Sequence, residues 1–177
     1  MINKKINCVD TSSMGRLFDA VSSIIGICNK ATYEGQGSIE LEALIPRHTG
    51  FDKNLCYKYN LNNEIDVIEI NPLPIIEGIL SDKVSNVSKD TISLKFHNTV
   101  INFTIAVCEK LRKKTNIDKV ALSGGVFQNY YLIKNLSIQL NKINFHVYTQ
   151  CQFPSNDGGV ALGQIVIGDN LLKERML

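Results

Sequence analysis

The stretch Lys119-Val120-Ala121-Leu122-Ser123-Gly124-Gly125-Val126-Phe127-Gln128-Asn129 decides the fold. A short apolar strand, Lys119 to Leu122, runs directly into a serine and two glycines. A helix then follows from about Gln128 to Leu140, with Tyr131, Leu132, Leu136 and Leu140 at helical spacing. Ile143, Phe145 and Val147 alternate, which marks a second strand. Ser155-Asn156-Asp157-Gly158-Gly159 opens another helix carrying Val160, Ala161, Leu162, Ile165 and Val166. Strand, helix, strand, helix with short connections predicts parallel pairing, because a helical crossover returns the chain to the same end of the sheet. The expected class is α/β, with a mixed, largely parallel sheet flanked by helices.

Working outward, Thr11-Ser12-Ser13 offers N-caps to a helix whose apolar stripe is Met14, Leu17, Phe18, Val21, Ile24, Ile25 and Cys28. Tyr33-Glu34-Gly35-Gln36-Gly37 reads as a loop leading into a short helix with Ile39, Leu41, Leu44 and Ile45. Leu55 to Tyr59 and Ile65 to Ile70 read as two strands of a β-hairpin within about residues 55–71, with the asparagines between them supplying the turn. Ile75, Ile76, Ile79 and Leu80 form a short helix after Pro72 and Pro74, and Ser81 to Asp90 reads as a polar loop. The longest helix expected runs from Thr91 to about Lys114, with Leu94, Val100, Phe103, Thr104, Val107, Cys108 and Leu111 on one apolar face.

The chain has 177 residues, 44% of them hydrophobic and 20% charged, the composition of a globular chain that buries a core. A net charge of +2 gives no electrostatic footprint for nucleic acid. No apolar run approaches the ~18 residues needed to cross a membrane, and Met1 to Asp10 lacks the apolar centre of a signal peptide. The expectation is cytoplasmic. Cys8, Cys28, Cys56, Cys108 and Cys151 are scattered without a CxxC pair, against a zinc knuckle or a disulfide frame, and Cys28 and Cys108 are expected as buried fillers.

Ligands of parallel α/β sheets sit at the carboxyl ends of strands, where Gly124 and Gly125 let a backbone approach unhindered. The same glycines also suit a tight turn with no ligand. Asn129 offers a donor and an acceptor to a ribose or phosphate. Asp157, placed alike at the second bend, is either an N-cap or a metal ligand beside a phosphate, and a single carboxylate does not make a metal site. Asp19 is either the ion-pair partner of Arg16 or a carboxylate holding a ribose diol, with Glu34 and Gly35 on the same wall. His48, His97 and His146 form no HxxxH; His97 is expected as a hydrogen-bonded structural residue, and the other two on the surface. A P-loop, a GxGxxG and a Ser/His/Asp order are missing from the sequence, against three common enzyme classes.

Several strings together resemble the HypF family of carbamoyltransferases. They are Thr11 to Ala20, Tyr33 to Gln36, Glu40 to Leu44, Lys95-Phe96-His97-Asn98, Leu122 to Asn129 and Pro154 to Gln164. The resemblance spans roughly residues 8–168 in order and is weakest over 48–90. It implies one carboxy-terminal lobe, residues 1–177, of a two-lobed actin-like (ASKHA) nucleotide-binding domain, with an amino-terminal lobe and further HypF domains outside the chain. It also implies formation of carbamoyl adenylate from carbamoyl phosphate and ATP, then transfer of the carbamoyl group to the carboxy-terminal cysteine of a HypE-type acceptor protein. That group becomes the cyanide ligand of nickel–iron hydrogenase.

By position, the resemblance matches Asp157 to the family's metal-binding aspartate. It matches Gly124, Gly125 and Asn129 to the nucleotide loop, Asp19 to the ribose carboxylate, and Gly35 and Gln36 to the adjacent nucleotide-contacting loop. The implied divalent metal is magnesium at the phosphates, with iron or zinc suited to the His-plus-Asp site of the complete domain. The family's metal-binding histidines belong upstream of the region matched here, so activity of this stretch alone is not expected. Met14 stands where a small residue or cysteine is expected. Two other readings stand beside the first: a non-catalytic nucleotide-binding or interaction fragment, and an O-carbamoyltransferase acting on a small molecule.

Overall fold

The computed structural model describes residues 6, 8, 10–63 and 67–175. Helix α1 (Met14–Ile24) starts where Ser13 accepts the Arg16 N–H, as the run of hydroxyls predicts. Its stripe buries Phe18, Val21 and Ser22. The helix stops at Ile24, so Cys28 lies beyond it, half-buried in the following turn rather than on the stripe. Helix α2 (Gln36–Ala43) follows Gly35 and packs across α1.

The hairpin forms, shifted along the chain. Strands β1 (Asn60–Asn63) and β2 (Ile68–Asn71) pair antiparallel, with Leu61 opposite Ile70 and Asn62 opposite Glu69. The asparagines expected in the turn therefore lie in β1, and the expected positions Glu64, Ile65 and Asp66 fall outside the described residues. Leu55 to Tyr59 is not a strand because its backbone is claimed by side chains of a helix. Asn98 Nδ2 donates to the Leu55 carbonyl at 3.0 Å, and the Tyr57 N–H donates to Thr99 Oγ1 at 2.8 Å.

Helix α3 (Leu73–Val84) has a proline in its first turn and runs through most of the polar stretch expected as a loop, leaving four residues before α4 (Lys89–Thr115). Helix α4 is the centre of the molecule. Ile92, Phe96, Val100, Ile101 and Phe103 are buried, but so are Ser93, His97, Asn98 and Thr99, so burial is not confined to one face. Other elements surround its first half, and the inward polar groups satisfy backbone that no helix or strand satisfies. Arg112, Lys113 and Lys114 close its last turn, where the dipole favours positive charge. Asparagines in the left-handed region end the helices: Asn86 after α3, Asn116 at the cap of α4, and Asn144 after the helix Tyr130–Lys142.

Strand β3 (Lys119–Leu122), α5 (Tyr130–Lys142), β4 (His146–Thr149) and α6 (Val160–Arg175) complete the chain. Strands β3 and β4 pair in parallel, with Lys119 opposite His146 and Leu122 opposite Thr149. The α/β class holds. The single mixed sheet does not: among the described residues the strands form two separate pairs, β1–β2 and β3–β4. Each strand is four residues long, and the core between them is filled by helices instead. No helix among the described residues is long and apolar enough to cross a membrane.

Candidate functional site

Leu122 is the last residue of β3, and the chain turns on Ser123 and Gly124 into a 3-10 turn, Gly125–Gln128. Gly124 sits at φ +102°, where a Cβ is strained whatever space surrounds it. Strand β4 leads to the second bend, Ser155 to Gly159. Asn156, not Asp157, caps its 3-10 turn, its Oδ1 accepting the Gly158 N–H at 3.1 Å. The Asp157 carboxylate is exposed, with no protein partner among the described residues. A Cβ on Gly159 would lie 3.0 Å from the Pro154 carbonyl, so the bend closes this tightly only with glycine there.

The two bends meet. The Gly124 N–H donates to the Ser155 carbonyl at 2.8 Å, and Gln150 Nε2 donates to Ser123 Oγ at 2.9 Å. Parallel pairing of β3 with β4 puts both loops at one end of the sheet, so their convergence follows from the topology. Behind the first bend lies a cavity of about 270 Å³, lined by Met14, Val100, Thr104, Gly124, Gly125 and Leu132 among others.

Of the seven candidate residues, Gly124 and Gly125 line that cavity. Asn129 is buried and fully engaged: its Oδ1 accepts the Leu132 N–H at 2.9 Å, capping α5, and its Nδ2 lies 2.9 Å from His97 Nε2. Asp19 and the Gly35–Gly37 loop come together with each other, but none of them lines that cavity. A Cβ on Gly37 would lie 3.1 Å from Asp19 Oδ1 and 3.4 Å from Ser22 Oγ. That Ser22 hydroxyl is buried, with no hydrogen-bond partner among the described residues. Asp19 is part-exposed and pairs with Arg16 at 3.4 Å. Gly35 takes φ +76° with open space beside it. The Gln36 amide is used locally, accepting from the Thr32 N–H at 2.7 Å and donating to Glu40 at 2.7 Å.

Two further residues beside the first bend are ones whose role in the site the sequence left open. Met14 lines the cavity from the start of α1, and His97 links α4 to Asn129. Their signal was a thioether in place of a small residue and an imidazole on an apolar helix, neither of which names a role by itself. No group of three or more His, Cys, Asp or Glu among the described residues is placed to hold a metal ion. Asp157 therefore supplies at most one ligand, and the residues present do not fit a metal site of their own.

The class this geometry defines is an α/β subdomain with paired glycine bends at the carboxyl ends of parallel strands. The chain belongs to the HypF carbamoyltransferases: the family model described as carbamoyltransferase, Kae1-like domain, second subdomain, matches residues 1–164. It is 37% identical over 157 residues to carbamoyltransferase HypF of Synechocystis sp., covering 88% of this chain and 19% of that protein. To carbamoyltransferase HypF of Rhodobacter capsulatus it is 32% identical, covering 93% of this chain and 20% of that one. It superposes on the crystal structure of full-length HypF in its phosphate- and nucleotide-bound form with a TM-score of 0.86 and 43% identity, covering 97% of this chain and 22% of that one. The crystal structure of T. kodakarensis HypF shares the fold at a TM-score of 0.74 and 23% identity, covering 97% of this chain and 21% of that one. The chain thus spans about one-fifth of the length of these relatives.

Proposed function

We propose that this chain is the carboxy-terminal, nucleotide-holding part of an enzyme that makes carbamoyl adenylate from carbamoyl phosphate and ATP. The carbamoyl group then passes to the carboxy-terminal cysteine of a HypE-type acceptor for hydrogenase cyanide synthesis. The observation that carries this reading is the 2.8 Å hydrogen bond from the Gly124 N–H to the Ser155 carbonyl, which joins the two glycine bends into one rim. Its best support is the family and the likeness to a HypF solved with phosphate and nucleotide.

In this reading carbamoyl phosphate is first hydrolysed elsewhere in the complete enzyme, releasing phosphate and carbamate; a carbamate oxygen then attacks the α-phosphate of ATP and pyrophosphate leaves. Positioning and neutralisation of charge do most of that work. The Gly124-Gly125 backbone comes close to the nucleotide because no Cβ intervenes. Asp19, free on one side of its weak pair with Arg16, accepts from the ribose hydroxyls. Asp157, without a protein partner among the described residues, faces the phosphates as one carboxylate of a cation site completed by the amino-terminal lobe. The cavity behind the bend lies just below the ~300–1,000 Å³ of ordinary ligand pockets, room for part of a nucleotide. The acceptor thiolate belongs to the partner, so no cysteine here serves as nucleophile.

A second reading, a non-catalytic interaction fragment, is favoured by α6, which exposes Val160, Leu162, Ile165, Val166, Ile167, Leu171 and Leu172. One experiment separates the two. The chain is mixed with the remainder of a HypF polypeptide, and carbamoyl-phosphate-dependent ATP–pyrophosphate exchange is followed. Exchange that needs both pieces and is lost with Asp19→Ala supports the enzyme reading. A stable complex with no exchange and no ATP binding sinks it and leaves the interaction fragment.

A further inference from the structure

We propose that His97 is a positioning residue for the glycine bend: its ring, protonated on Nδ1, fixes the Asn129 amide and thereby the Gly124–Gln128 turn. The consequence for nucleotide rests on reading that bend as the nucleotide loop. The hydrogen-bond logic does not.

His97 is fully buried in α4. Its Nδ1 lies 2.8 Å from the Ser93 carbonyl, which only accepts, so Nδ1 carries the proton. In a neutral ring Nε2 is then left as an acceptor, and the Asn129 Nδ2 donates to it at 2.9 Å. That choice fixes the other end of the amide, whose Oδ1 accepts the Leu132 N–H at 2.9 Å. A flipped amide would set acceptor against acceptor at His97 and donor against donor at Leu132. One tautomer therefore selects one amide orientation.

The same asparagine closes the bend through its backbone. Its N–H donates to the Val126 carbonyl at 3.1 Å, and the Phe127 N–H donates to the Gly124 carbonyl at 3.0 Å. The imidazole is itself clamped. Phe18 lies edge-on at 5.2 Å between centroids, Tyr131 at 5.8 Å and Phe96 at 5.9 Å. Phe18 precedes Asp19 in α1, so the ring ties the helix that carries Asp19 to the bend that carries Gly124. Ser93 reinforces this from below, its Oγ donating to the Leu41 carbonyl of α2 at 2.6 Å.

The test uses the full chain as wild type, His97→Leu, His97→Gln and Asn129→Asp. The amide oxygen of His97→Gln reaches the place of Nε2 and restores the acceptor. Asn129→Asp keeps the cap on α5 and, read at alkaline pH where the imidazole stays neutral, sets a carboxylate against the Nε2 lone pair in place of the donor. Amide hydrogen exchange is read at Gly124 to Asn129 and, as a control, at Ile75 and Ile79 of α3. Magnesium-ATP affinity is read by calorimetry.

Loss of one buried hydrogen bond predicts exchange in the bend about tenfold faster in His97→Leu and Asn129→Asp, with α3 unchanged. His97→Gln returns it to the wild-type rate. ATP affinity follows the same order. Equal exchange in all four proteins, or His97→Gln as loose as His97→Leu, overturns the inference and reduces His97 to packing. If His97→Leu does not fold, Asn129→Asp against wild type decides alone. If wild type binds no ATP, the nucleotide reading of the bend falls, while the exchange rates still decide the role of His97.

Discussion

Tyr57 shows how a single hydroxyl sets the charges around it. It donates to Asp82 at 2.8 Å, while the Lys95 ammonium pairs with the same carboxylate and lies 4.4 Å from the Tyr57 ring centroid. Burial pushes the Asp82 carboxyl up, but the hydrogen bonds from Lys95 and Tyr57 outweigh it and hold the group below its ordinary value. Tyr57→Phe should cost about 1 kcal/mol in urea unfolding and raise the Asp82 pKa measured by carboxyl NMR. His97 titrates in the opposite sense to a paired histidine. Burial pushes it from 6.5 down to about 4. The folded state therefore refuses a proton that the unfolded chain accepts, so its contribution is complete above pH 6.5 and erodes as pH falls toward 4. Unfolding free energy should fall by a few kcal/mol over that window, and His97→Gln should flatten the slope there. A wild-type and variant slope of equal size would remove His97 as the cause. Asp157, exposed and without a protein partner among the described residues, is the converse: Asp157→Asn should leave stability within about 0.5 kcal/mol and, on the proposed nucleotide reading, weaken magnesium-ATP binding.

At the scale of elements, helices carry most of the folding information and the irregular segments carry the surprises. Asn129→Ala removes the cap of α5 and the donor to His97 together, so its cost in thermal unfolding should exceed the ~1 kcal/mol of an ordinary cap. Gly78→Ala in α3 should also destabilise, by about 1–3 kcal/mol, because the new Cβ would stand 2.5 Å from the Tyr57 ring. The stripe from Met14 to Ile25, the strand at Lys119 to Leu122 and both glycine bends were legible because period and turn chemistry agree there. The span from Leu55 to Tyr59 misleads because alternation is blind to what satisfies the backbone. Asn98 and Thr99 of α4 do so here, 43 and 42 residues away in sequence. The same blindness hid the inward polar face of α4. Asp82 reads as loop polarity, yet inside α3 it is the hub of the Tyr57–Lys95 pair. Asp19, Gly35 and Gly124 stood out as residue types, but Asn129 and Gln36 spend their amides inside the protein, which no spacing reveals.

At the scale of the whole molecule, α6 is the element least accounted for by this chain. Its main packing partner is the Asp157–Gly159 turn that precedes it. At 100° per residue its exposed Val160, Leu162, Ile165, Val166, Ile167, Leu171 and Leu172 point all round the axis rather than along one stripe. Gln164, Asp169, Asn170, Lys173 and Glu174 lie among them, so the helix is mixed all round, but an exposed apolar area of this extent marks an interface. The chain spans about one-fifth of its relatives, and it matches a second subdomain, so the surface that covers α6 is expected on the preceding part of the HypF fold. The isolated chain should therefore bind an apolar dye and self-associate, with a sedimentation coefficient that rises with concentration. Ile165→Glu with Leu172→Glu touches side chains already exposed, so helix content and melting of the core should be kept while self-association and dye binding are lost. The same double variant should fail to capture the first subdomain of a HypF. If it captures that subdomain as well as wild type does, α6 is not the surface that meets it, and its exposed apolar residues need another partner.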